Sequence, residues 1–470
     1  MKLVQFAPTH PAFLEEVVPE MPHFEEADYR QRLDILSERM QSAGLSHAVV
    51  YADREHFANM EYLIGFEPRF EESLFIMDGK GSCTLLVGNE CMSYSFISPI
   101  PMKRILYQNF SLQGQPRDKI RPLRDIFSEL GIGQGTRIGF IGFKYFEVEH
   151  KLGETEEVFD VPAYILHELQ EAGPGKIINF TRVMTGMPDG IRITIRTAKE
   201  VAWAEYAACK ATRVIQRILK NVKPGMTELG LSEKGGLDFS PVSVFPMANF
   251  GRDHGAIGLR SPTETPLQVG DPCAFCYAIR GALISRVGIA AFGEDTLRPE
   301  YQGVVDRFYK PFWQAIAAWY ESLSIGVSAG DVHGKVMDII GGPKFGVTLN
   351  PGHYIGGDEW VNSPFFKGSS IRLENSAHLQ SDIIAGSSEP FMTGICEDGI
   401  ILADEALRRQ VALEYPDVWA RITARQERMR EILGIALSDD VLPLGNLNGV
   451  YHPYMLDTGV VFKSTNEAGM

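Results

Sequence analysis

The sequence predicts an α+β protein, with an N-terminal α/β domain followed by a larger domain that mixes helices and strands. Three observations carry this. Short apolar runs alternate with helical spacing over roughly residues 1–180. The run Thr185-Gly186-Met187-Pro188-Asp189-Gly190 then breaks the pattern, and longer strand-like runs cluster beyond it. The expected divisions are 1–185, 190–440 and an extended C-terminal arm over 441–470.

Taken in order, Asp28 to Ala43 carries Leu33, Leu36 and Met40 at helical spacing, and Gly44 stops that helix. His47 to Tyr51, Ser73 to Gly79, Thr84 to Val87 and Arg137 to Ile141 read as strands, with a helix over Ile120 to Leu130. Past the junction, Thr197-Ala198-Lys199-Glu200 is a capping box in which Glu200 is placed to reach the Thr197 amide. The helix it opens ends at Lys223-Pro224-Gly225. Strands are expected near 242–248, 273–279, 282–292 and 371–402, with helices at about 299–322 and 331–340. Pro311 should kink the first of these helices, and Pro416 the helix that follows Asp404.

Composition limits the function. The 470 residues hold 60 acidic and 45 basic side chains, a net charge of −15, with 44% hydrophobic residues. That apolar content excludes general disorder, and the acidic balance argues against a nucleic-acid partner, which needs a basic footprint. Six cysteines are too few for a disulfide framework. The start, Met1 to Pro8, has no apolar signal region, and no apolar run approaches the ~18 residues of a membrane span. The expectation is a cytoplasmic protein with a small-molecule substrate and no membrane partner.

Four polar clusters border apolar runs in the second domain. They are Asn249 to His254, Gly270 to Cys276, Pro351 to Gly356, and Gln380-Ser381-Asp382 with Cys396-Glu397-Asp398-Gly399. Cys273 and Cys276 lie three apart, on opposite faces of a strand, and no second cysteine pair completes a zinc site. Cys273 reads as core. Cys276 reads either as a pocket-facing residue or, beside a protonated histidine, as a nucleophile.

The order and flanks of these clusters resemble the creatinase / aminopeptidase P / methionine aminopeptidase family, whose fold is the pita-bread fold. The Leu33-Met40-Gly44-Leu45 helix, the Ala48-Val49-Val50 strand and Tyr62-Leu63-Ile64-Gly65-Phe66 are similar to its N-terminal domain. Gly352-His353-x-Ile355-Gly356, Asp382 and Glu397-Asp398 are the more specific matches. In metal-dependent members two Asp, one His and two Glu hold a pair of divalent ions. By this resemblance His353 sits at the His ligand, Asp382 at the first Glu and Glu397 at the second. Cys276 occupies the place of the first Asp, and Ser285-Arg286-Val287 the region of the second, so both aspartates are missing. Asp271 lies in the turn before the strand and does not replace them.

Bridging carboxylates let two cations sit about 4 Å apart, so a dinuclear peptidase site is not expected. The resemblance implies instead a creatinase-like hydrolase that uses no cofactor, with His254 as acid/base and His353 and Glu397 as further catalytic residues. Substrate-binding candidates are Asp382, Cys276, Glu359, Trp360 and Arg69: Trp360 as an apolar wall, Glu359 to meet a cationic group, and Arg69 to reach a partner's pocket in a homodimer. Two other classes stand beside it. One is an Xaa-Pro aminopeptidase-like hydrolase with a single divalent metal ion on His353, Asp382 and Glu397; the other is a non-catalytic binding protein. The stretch from Gly225 to Pro246 is short for the family, and a helix is expected to be absent there.

Overall fold

The computed structural model describes residues 3–147, 155–251, 259–388 and 391–465. His254 lies outside them. The chain divides into two compact units, His23–Ile193 and Met1–Pro22 with Thr194–Met470. The boundary falls beyond the expected Thr185 to Gly190 junction for a local reason. The Ile191 and Arg192 amides donate to the Val183 and Met184 carbonyls, and Arg192 Nε donates to Asn59 Oδ1 at 2.9 Å, tying these residues to the first unit.

Strand β1 (Leu3–Pro8) belongs to the second unit. The His23–Ile193 unit holds β2 (His47–Ala52), β3 (Ser73–Asp78), β4 (Cys83–Val87), β5 (Lys103–Leu106), β6 (Arg137–Ile141) and β7 (Lys176–Asn179), in the sheet order β5-β4-β3-β2-β6-β7. Its central strands β2, β3 and β4 are buried along nearly their whole length because both faces are covered. Val50, Phe75 and Leu85 pack on Leu33, Leu36 and Met40 of the helix Glu26–Ser42. Their neighbours Val49, Leu74 and Leu86 face the other way, onto Leu123, Ile126 and Phe127 of the helix Leu123–Glu129.

The second unit is built on β8 (Met247–Phe250), β9 (Pro272–Ile279), β10 (Ala282–Ile289), β11 (His353–Tyr354), β12 (His378–Ser388) and β13 (Phe391–Leu402). They run in the order β11-β12-β13-β10-β9-β8, and every pairing is antiparallel. The long helix Ala198–Asn221 starts at Thr197, whose side chain accepts the Glu200 amide. The Glu200 carboxylate accepts the Arg196 amide at 2.8 Å, one residue before the expected partner.

Several expectations are corrected here. A helix does occupy part of the stretch from Gly225 to Pro246, over Glu228–Gly235, capped by Thr227. Pro311 lies within one helical run: a π-helical segment, Val305–Tyr309, passes directly into the helix Lys310–Ser322, so the hydrogen-bond pattern changes beside the proline. Pro416 instead opens a new helix, Pro416–Glu431, separate from Glu405–Glu414, where its missing amide costs no helical bond.

The C-terminal stretch is extended but docked. Strand β14 (Val441–Pro443) pairs with β13, and β15 (Val460–Thr465) pairs with β1 along its whole length. Between them Leu444, Leu447, Val450 and Tyr451 are fully buried. Asn448 Nδ2 donates to the Gly399 carbonyl at 3.0 Å, so the polar residues that read as an arm are the turn residues that carry apolar side chains inward.

Candidate active site

Strand register assembles the site. Met247 lies opposite Cys276, Cys276 opposite Ser285, Ser285 opposite Glu397, and Glu397 opposite Asp382. Directly opposed residues share a face, so these side chains form one row across five strands. His353 faces Gln380 across β11 and β12, and Gln380 stands two residues from Asp382, on that same face. The approach of β11 depends on Gly352. Its φ is +128°, and a Cβ there would stand 2.7 Å from the Gln380 carbonyl oxygen.

His353 is fully buried. Its Nδ1 lies 3.0 Å from the Tyr354 carbonyl, which makes Nδ1 the protonated nitrogen and turns Nε2 toward the acids. Nε2 stands 3.1 Å from Glu359 Oε1 and 4.0 Å from Asp382 Oδ2. The Glu359 contact is an ion-pair approach rather than an aligned hydrogen bond. The Trp360 ring stacks on the imidazole, with centroids 4.3 Å apart and planes at 24°. Burial opposes the charged imidazole, but the Glu359 and Asp382 carboxylates outweigh it and raise the His353 pKa.

The acids are shifted upward as well, toward their neutral form. Burial, aided by Glu359 and opposed by His353, pushes Asp382 up to about 7. Burial, with repulsion from Asp382 and Glu359, pushes Glu397 well above the usual carboxylate range. Asp382 Oδ1 and Gln380 Oε1 are buried and have no hydrogen-bond partner among the described residues. At neutral pH the site therefore holds its negative groups partly as acids, and it keeps acceptors free for a ligand or water.

Cys276 completes the row among Ala278, Leu283 and Ile355. Burial and the three nearby carboxyl groups push its thiol well above the ordinary value, an environment that opposes a thiolate. Cys273 points to the opposite face and is buried, as core. Asp271 precedes β9 and is taken up by Arg298, whose Nη2 lies 2.8 Å from its Oδ1. Arg69, in the other unit, pairs with Glu67 at 2.9 Å.

The structure thus brings His353, Asp382, Glu397, Cys276, Glu359 and Trp360 together. Glu359, expected to meet a substrate cation, lies beside His353, with its Oε1 3.1 Å from Nε2. Sequence reasoning missed His378 on this face, and named Ser285 and Gln380 without giving either a role. His378 is buried, its Nε2 has no partner among the described residues, and burial with the His353 charge pushes it down to about 3. The signal was available, because His378, Gln380 and Asp382 recur at a period of two within one strand.

No protein-family model matches the sequence, and no characterised protein sequence matches it. Solved structures do match the fold. A prolidase from Thermococcus sibiricus aligns with a TM-score of 0.61 at 17% identity, covering 80% of this chain and 95% of the other. An Xaa-Pro dipeptidase from Bacillus anthracis gives 0.59 at 15%, covering 80% and 96%. Aminopeptidase P from Escherichia coli gives 0.58 at 14%, covering 81% and 93%. The chain has the two-domain pita-bread fold that the sequence resemblance implied. Among the described residues no helix is long and apolar enough to cross a membrane.

Proposed function

We propose that this chain is a hydrolase of a small-molecule C–N bond that works without a metal ion, moving protons through carboxyl groups and histidine. The observation that carries the reading is the buried row of Cys276, Ser285, Glu397 and Asp382 beside His353, in which the two acids stand directly opposite each other and the other two members are a thiol and a hydroxyl. The fold it shares with Xaa-Pro dipeptidases and aminopeptidase P supports hydrolysis as the reaction class.

The fold family implies a pair of divalent ions, and the donor set argues against them. By the resemblance, Cys276 and Ser285 stand where bridging aspartates would be needed, and both are uncharged. His353 Nε2 lies 3.1 Å from Glu359 Oε1, an ion-pair approach without an aligned hydrogen bond. No group of three or more His, Cys, Asp or Glu among the described residues is arranged to hold an ion. We route no step through a metal.

In the proposed reaction Asp382 takes a proton from water as the oxygen attacks the electrophilic carbon, and protonated Glu397 gives its proton to the nitrogen as the C–N bond breaks. The pair is then left with the proton on Asp382 and the charge on Glu397, and proton exchange between the two acids resets it. His353, paired with Glu359, fixes the side of Asp382 that faces Nε2. His254 is the histidine to which the sequence assigns acid/base work, and the reading includes it. A homodimer, expected from the same resemblance, belongs to the proposal and is checked by sedimentation.

The test is metal analysis of dialysed protein together with turnover of Xaa-Pro dipeptides, guanidines and cyclic amidines. Turnover that resists a chelator and is lost in Asp382→Asn and Glu397→Gln is the expected result, with His254→Ala measuring what that histidine adds. A stoichiometric ion whose removal abolishes activity would overturn the metal-free reading. Ligand binding without any turnover would leave a binding protein.

A further inference from the structure

Gln380 reaches across a strand. It stands opposite Gly399 of β13, and because Gly399 has no side chain the Gln380 amide passes over it to β10. There its Nε2 donates to the Leu283 carbonyl at 2.6 Å. That bond fixes the amide, since exchanging its oxygen and nitrogen would set two oxygens against each other. Gln380 Oε1 is thereby turned away from Leu283, buried and without a partner among the described residues. His353, opposite Gln380 across β11, does not fill it. Its Nε2 also lacks an aligned partner, and lies 3.1 Å from Glu359 Oε1.

A second unpartnered atom borders the same space. His378 lies two residues before Gln380, on the same face, and its buried Nε2 has no partner among the described residues. A Cβ built on Gly399 would lie 3.6 Å from Gln380 Oε1, 3.6 Å from Leu444 Cδ1 and 4.0 Å from His378 Nε2. Two polar atoms thus flank one spot that no side chain occupies. Gly399 is two residues from Glu397 on the same face of β13, and the Gln380 side chain lies close enough to Glu397 to favour its charged form. The proton donor of the proposed reaction therefore adjoins a pair of acceptors. Buried acceptors left unpaired are costly, and a donor that pairs them recovers that cost.

We propose that the leaving nitrogen of the substrate is an –NH2 group seated over Gly399, with one N–H accepted by Gln380 Oε1 and the other by His378 Nε2. This rests on the hydrolase reading and names its substrate class, primary amides and amidines. Holding both hydrogens leaves the nitrogen lone pair for Glu397. The water oxygen bonds to the carbon, Asp382 takes the water proton, the nitrogen takes the Glu397 proton, and the C–N bond breaks to release ammonia. A tertiary nitrogen, such as that of an Xaa-Pro bond, has no hydrogen for either acceptor and strands both.

Butyramide, N-methylbutyramide and N,N-dimethylbutyramide remove the hydrogens one at a time and test this on the full chain. Each lost hydrogen is expected to lower kcat/KM, and affinity by calorimetry, about tenfold or more. His378→Leu should close the gap between butyramide and N-methylbutyramide, and Gln380→Met should flatten the series further. A purely structural role for either residue would lower all three amides alike and overturn the assignment. Gly399→Ala adds a methyl with only ordinary contacts, so it should unfold at the wild-type urea midpoint yet lose about tenfold or more of butyramide turnover. Equal rates along the series, faster turnover of the dimethyl amide, no binding of any of the three, or undiminished butyramide turnover in Gly399→Ala would overturn the inference. Graded binding with no turnover would sink the hydrolase reading and leave the acceptor pair standing. Turnover of alanyl-proline with none of butyramide would do the reverse.

Discussion

Glu397 and Asp398 are neighbours in one strand and face opposite sides of one sheet, and their surroundings differ in kind. Asp398 receives both oxygens' worth of contact from Arg286 Nη2, at 2.8 and 3.0 Å, together with the Gly449 amide at 3.1 Å. Arg286 in turn donates to the Ser285, Glu397, Val450 and Leu447 carbonyls. Burial raises the proton affinity of both acids, but at Asp398 Arg286 and the Gly449 amide oppose the rise, whereas at Glu397 the neighbouring acids Asp382 and Glu359 add to it. A buried acid with its cation and donors in place is part of the framework. One left among other acids keeps its proton and can give it away.

The largest expected effect comes from breaking the back of the sheet. Arg286→Met leaves Asp398 buried without its cation and should cost about 3–5 kcal/mol of stability, read by urea unfolding. On the front face the sign of the contrast reverses. Glu397→Gln should lower kcat by about 10²-fold or more while leaving the unfolding midpoint unchanged, because no ion pair is lost. A large loss of stability in that variant would erase the distinction between the faces.

Asp382 sharpens the contrast through pH. Its folded-state pKa is raised to about 7, so the native state binds more protons than the unfolded state between the ordinary carboxylate range and that value. Stability from this group is therefore present at low pH and lost as pH rises through about 7. Asp382→Asn should melt above the wild type at about pH 8 and match it at about pH 4 in thermal scans. The smallest effect is expected at Cys276→Ala, about 1 kcal/mol of stability with turnover unchanged, since a thiol held in its protonated form is no nucleophile. Lost turnover there would restore the nucleophile reading.

Much of the fold was legible from periodicity. The β6 bounds, Arg137 to Ile141, match the expected strand, and the helix opened at Thr197 begins at Ala198. The errors share one cause. Local residue type makes Pro416 a kink and the Gly- and Asn-rich C-terminal stretch an extended arm. Tertiary packing uses them as a helix start and as turns that deliver Leu447 and Tyr451 to the core. In the site, motif spacing pointed to His353, Asp382 and Glu397. Ser285 enters the sequence reading only as part of the region where an aspartate is missing, because a lone serine carries no chemical signal, and register is what sets it between Cys276 and Glu397.

The sequence by itself determined the fold class, through side-chain period, and pointed to the candidate site and its donor set through the family resemblance. Only the tertiary structure decided which of two adjacent acids is paired with a cation and which is left among other acids. That choice depends on where Arg286 comes to rest. Alternation along β10 sends it to the back of the sheet with Asp398, and leaves Ser285 in front with Glu397.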